Sequence, residues 1–92
     1  VEGASVNKTL MIITSQTETV KNIILRDINR GATILSAIGA YQGVEHKIIY
    51  TILSRKEMMV LRHRIREIDP EAFINVIDSR EILGRGFKSL QD

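Results

Sequence analysis

The chain has 92 residues, 43% of them hydrophobic and 26% charged, which is the composition of one folded domain with no room for a second core. There is no cysteine, so disulfides and thiolate metal sites are excluded and a reducing compartment is the expected setting. Lys and Arg number 13 against 11 Asp and Glu, and a net charge of +2 is too small for a surface built to neutralise phosphates along nucleic acid.

In chain order, Val1-Glu2-Gly3-Ala4-Ser5 has neither the basic start nor the apolar stretch of a signal peptide and reads as a linker over residues 1–5. A single domain then covers residues 6–92. Leu10-Met11-Ile12-Ile13, closed by polar residues, predicts a strand. Ser15 stands three residues before Glu18, the spacing of a capping box. The helix it opens carries Val20, Ile23, Ile24 and Ile28 on one face, and Gly31 is its expected stop. Ala32 to Ile38 predicts a second strand, and Gly39-Ala40-Tyr41-Gln42-Gly43 a turn into a third, Lys47 to Leu53. Ser54 and Glu57 repeat the capping-box spacing before a helix lined by Met58, Leu61, Ile65 and Ile68. Asp69-Pro70 ends that helix, because proline disfavours the α conformation of the residue before it. Phe73 to Ile77 is the fourth strand, and Ile82, Leu83 and Phe87 anchor a tail that turns at Gly84 and Gly86.

The longest apolar runs span only about four residues, so no transmembrane helix is expected within the chain. The order of elements predicts an α+β fold, the ferredoxin-like βαββαβ arrangement, with a four-stranded antiparallel sheet and both helices on one face. Such a sheet should alternate apolar and polar residues. These strands do not: Ile48, Tyr50 and Ile52 oppose Ile49 and Leu53, and Leu10 and Ile12 oppose Met11 and Ile13. A second buried surface is the expectation, most simply another copy of the chain in a homo-oligomer.

Motifs for catalysis are missing: there is no nucleophile elbow, phosphate-binding loop or His-Glu-x-x-His, and the chain is not expected to be an enzyme. His46 and His63 lack partners at metal-ligand spacing, so no metal and no cofactor is expected. Asp69, Glu71 and Asp78 could pair but sit where carboxylates serve turns. Arg62, His63, Arg64 and Arg66 form the densest basic run; spread around a helix they read as a solvated face, with nucleic-acid binding the weaker alternative. Gly39 and Gly43 bracket Tyr41, and Gly84 and Gly86 bracket Arg85. Glycine turns expose backbone N–H groups to an anion, although positive-φ geometry alone explains most loop glycines. The candidate ligand rim is therefore Gly39, Tyr41 and Gly43 with Arg55 and the Gly84-Arg85-Gly86 turn, and the candidate ligand a small anion.

Several segments resemble the C-terminal domain of YitT-type bacterial membrane proteins: Arg30-Gly31-Ala32-Thr33, Gly39-Ala40-Tyr41-Gln42-Gly43, Ser54-Arg55-Lys56-Glu57, Ile68-Asp69-Pro70-Glu71-Ala72-Phe73 and Leu83-Gly84-Arg85-Gly86-Phe87-Lys88. The opening Val1-Glu2-Gly3 resembles the segment leaving the last membrane helix of that family, and the likeness covers nearly the whole chain. Ala37 departs from a frequent glycine and His46 from a frequent basic residue. The resemblance implies a PII-like, ferredoxin-related domain on the cytoplasmic side of the bacterial inner membrane, joined to the membrane region of the same parent chain. It also implies subunits that associate and bind small effectors between them. A regulatory, ligand-sensing domain is the leading expectation, and a structural oligomerisation module the alternative.

Overall fold

The computed structural model describes residues 7–79. Within them the order is β1 (Asn7–Ile13), α1 (Thr17–Asn22) running into a π-helical turn (Ile23–Asp27), β2 (Thr33–Ile38), β3 (Glu45–Ser54), α2 (Arg55–Ile68) and β4 (Phe73–Ser79). The sheet order is β2-β3-β1-β4, and every neighbouring pair is antiparallel. This is the expected βαββαβ arrangement.

Register explains why the fold closes on one face. Ile34, Ile49, Ile12 and Ile74 stand opposite one another across all four strands, and Thr51, Leu10 and Val76 form the next row. Leu10, Ile12, Ile49 and Leu53 join Val20, Ile23 and Ile24 from the first helical segment and Met58, Leu61 and Ile65 from α2 in one buried core. Burying each such side chain contributes roughly 1.5–3 kcal/mol. The one buried polar side chain among the described residues, Thr51, donates its hydroxyl to the Gly31 carbonyl at 2.8 Å and so carries no unmet hydrogen bond.

The ends of the elements differ from their expected positions for identifiable reasons. Ser15 does not cap α1: the N-cap residue is Gln16 without a side-chain bond, and Ser15 instead donates its amide to the Asp69 carboxylate at 3.2 Å. The first helix stops at Asn29, whose φ of 61° is left-handed, rather than at Gly31. Ile28 bonds back five residues to the Ile23 carbonyl at 3.0 Å, a π turn, and packs against the core. At α2 both capping-box bonds form as expected: Glu57 N–H donates to Ser54 Oγ at 3.1 Å, and Ser54 N–H donates to Glu57 Oε1 at 2.8 Å. β1, β3 and β4 run longer than expected, because paired polar residues such as Asn7 and Glu45 extend the ladders, whereas β2 begins one residue later, at Thr33.

Candidate functional site

Three regions compete for a functional reading: the β2–β3 hairpin tip, the uncovered face of the sheet, and a cleft beside α2. Each is built from residues that sequence reasoning had singled out, though not always in the expected combination.

At the hairpin tip, Gly39 donates its amide to the Val44 carbonyl at 2.8 Å, and Gly43 donates to the Gly39 carbonyl at 2.7 Å. Those two N–H groups are spent closing the turn. Gly43 has φ +71°, which side-chain-bearing residues rarely adopt, and a Cβ at Gly39 would lie 3.3 Å from the His46 ring nitrogen. Tyr41 is 97% exposed at the tip. Arg55 opens α2 at the other end of the ten-residue β3, about 30 Å away at 3.3 Å per residue. One subunit therefore does not bring Tyr41 and Arg55 together; a rim made of both requires two copies. Gly84, Arg85 and Gly86 lie outside the described residues, as do the linker over residues 1–5 and the tail residues Ile82, Leu83 and Phe87.

On the face away from the helices, Met11 stands between Tyr50 and Asn75, and Thr9 between Ile52 and Ile77. Leu35 opposes Ile48, and Ile13 opposes Phe73. No element covers this face among the described residues, and Phe73 is 61% exposed and Ile77 47%. Four strands about 4.8 Å apart and about 20 Å long make a footprint of roughly 400 Å². Thr9 and Asn75 interrupt its apolar residues, and a face of that extent is a candidate interaction surface.

The third region is a cleft of about 240 Å³ between the C-terminal half of α2 and the start of β4, lined by Arg62, Ile65, Arg66, Asp69, Pro70, Ala72 and Ile74. Asp69 belongs to the loop that closes it. Its Oδ2 takes the Thr14 hydroxyl at 2.5 Å and the Ser15 amide, and its Oδ1 takes the Glu71 amide at 3.2 Å. The Thr14 hydroxyl is the chief reason the Asp69 carboxyl is held below the usual aspartate range; together with the smaller effects of Ser15 and the Glu71 amide it outweighs desolvation.

The basic run on α2 is divided by geometry. Arg64 pairs with Asp27 at 3.0 Å, and His63 Nε2 lies 3.5 Å from Glu67. Arg62 and Arg66 line the cleft instead. Arg30 reaches Glu57 at 3.2 Å, so two of the recognised segments meet and tie the β2 approach to the start of α2. Sequence reasoning missed the Arg30–Glu57 and Thr14–Asp69 contacts because their partners lie 27 and 55 residues apart.

Comparison with known proteins adds a family to this geometry. The family described as "Uncharacterized protein conserved in bacteria (DUF2179)" matches residues 30–84, more than half of the chain. The chain is 37% identical over 86 residues to the UPF0750 membrane protein YvjA of Bacillus subtilis, covering 94% of this chain and 31% of that protein. It is 30% identical over 76 residues to the UPF0750 membrane protein YitT of the same organism, covering 83% of this chain and 27% of that protein. This chain thus spans about a third or less of those relatives' length. The crystal structure of a DUF2179 protein from Eubacterium ventriosum superposes with a TM-score of 0.69 at 25% identity, covering 77% of this chain and 97% of that one.

Proposed function

The chain belongs to the DUF2179 family, the domain its UPF0750 membrane-protein relatives share, and we propose that it is a regulatory module that self-associates through the uncovered sheet face. The observation that carries this reading is the apolar face formed by Met11, Ile13, Leu35, Ile48, Tyr50, Ile52, Phe73 and Ile77. No described element of one copy covers that face, and a second copy presenting the same face buries it on both sides, which is the self-complementary logic of a two-fold interface. None of the described helices is long and apolar enough to cross a membrane. In a parent membrane protein the module would therefore stand outside the bilayer, and its lack of cysteine suits the cytoplasmic side. Association gives such a module a state that a small ligand can bias, and so a means of reporting to the membrane region. A rim pairing Tyr41 of one copy with Arg55 of another would be one consequence of assembly.

Sedimentation of the chain at about 100 μM tests the reading against its 10.4 kDa monomer mass. The expected result is a multiple of that mass, reduced to the monomer by Leu35→Glu together with Phe73→Glu. A monomeric parent chain overturns it.

A further inference from the structure

We propose that the cleft between α2 and β4 is a binding site for a small soluble anion, a phosphate or carboxylate carried on a compact apolar group. Arg62 and Arg66 are one helical turn apart on the wall of this cleft, above a floor that includes Ile65, Ala72 and Ile74. Like charges at that spacing repel, and an anion between them relieves the repulsion. Neither guanidinium is neutralised from within the described residues: the polar contact of Arg62 is the Met59 sulfur at 3.9 Å, and no ion pair involves Arg66. Asp69 lies in the same cleft, yet its carboxylate is engaged by Thr14, Ser15 and Glu71 and forms no ion pair with either arginine.

The other chemistry of the cleft sets the ligand class. Ile65 is buried, Pro70 and Ala72 close one side, and the volume of about 240 Å³ falls just below the range of roughly 300–1,000 Å³ usual for small-molecule sites. An apolar floor beside paired guanidiniums favours a compact ring or short chain bearing one phosphate or carboxylate, since each guanidinium donates charge-assisted hydrogen bonds to such an anion. The cleft sits at the Ile13–Phe73 end of the sheet, about 20 Å from the Asn7 end at which the chain enters β1. If a membrane region precedes β1, the cleft lies at the far end of that strand from it, which favours a soluble ligand over a lipid headgroup.

Phenyl phosphate is a suitable probe, followed by nuclear magnetic resonance of the backbone and arginine N–H groups in the 92-residue chain. Saturable shifts are expected at Arg62, Arg66 and Ala72, with affinity falling about tenfold in Arg66→Ala. Arg64→Ala, which removes the partner of Asp27 rather than a wall of the cleft, should bind like the parent. Benzyl alcohol, which offers the ring without the charge, should not saturate. Equal affinity in parent, Arg66→Ala and Arg64→Ala, or shifts spread over all arginines, overturns the site. Binding to phosphatidylglycerol vesicles that Arg66→Ala abolishes, without binding of phenyl phosphate, overturns the soluble source. Sedimentation of the same samples separates this proposal from self-association: an oligomer that ignores the probe sinks only the cleft, and a monomer that binds it sinks only the interface.

Discussion

Asp69 and Glu57 show how single carboxylates join segments far apart in the chain. Asp69 accepts from Thr14, Ser15 and Glu71, linking the loop after β1 to the loop before β4. For Glu57, burial raises the carboxyl, but the Ser54 amide and the Arg30 guanidinium outweigh it and leave the group below the usual glutamate range. Both groups thus ionise more readily folded than unfolded. Their contribution to stability is fully present above the unfolded carboxylate values, near pH 4, and disappears as pH falls through the lowered folded values. Urea midpoints measured from pH 6 down to pH 2.5 should fall below about pH 4. Asp69→Asn keeps acceptors for Thr14 and Ser15 but removes one titrating group, so its midpoint should fall less over the same range. An equal fall in both proteins would show that the Asp69 charge adds nothing.

Elements were legible where the signal was local. The second capping box illustrates this: Ser54 and Glu57 make both reciprocal bonds, and Ser54→Ala should destabilise the chain by about 1 kcal/mol in urea denaturation. Ser15 carried the same spacing but lost its role to Asp69, a competitor 54 residues away. Since its hydroxyl lies 3.5 Å from Asp69, Ser15→Ala should stay within about 0.5 kcal/mol of the parent. A cost at Ser15 equal to that at Ser54 would contradict the assigned cap. The order of strands and helices followed from apolar runs and turns, and register then placed Ile12, Ile34, Ile49 and Ile74 in one row. The π turn was not legible, because Ile24 and Ile28 stand four residues apart and fit an ordinary helical face, and only the Ile28-to-Ile23 bond reveals it. Similarly, Gly31 looked like the stop because glycine is the commonest left-handed residue, whereas Asn29 takes that conformation and Gly31 offers its carbonyl to Thr51. The candidate site was the least legible part. Spacing put Arg62 and Arg66 on one side of α2, but only the packing of β4 and Pro70 turns that side into a cleft. Tyr41 and Arg55 were expected in one ligand rim, although within one copy the length of β3 separates the hairpin tip from the start of α2.

For the whole molecule, the decisive feature is a sheet with one face covered by helices and one apolar face that no described element covers. A domain of this length buries only roughly 60–65% of the surface its unfolded chain exposes, so its margin of stability as a monomer is thin. Leu35, Phe73 and Ile77 remain partly exposed, and covering what is left of each would be worth roughly half of the 1.5–3 kcal/mol of a full burial. If copies associate through this face, binding stabilises the folded state by mass action, and folding becomes linked to concentration. Thermal melts of the chain at 5 and 200 μM should then differ, the concentrated sample melting at the higher temperature by several degrees for each kcal/mol gained. Leu35→Glu with Phe73→Glu should abolish the difference, because both positions are exposed in the monomer and lie on the open face rather than in the core. Arg64→Ala, on the outer side of α2, should keep it. A parent chain whose melting temperature is the same at both concentrations would mean that the open face is tolerated in water, and that something other than a second copy has kept it apolar.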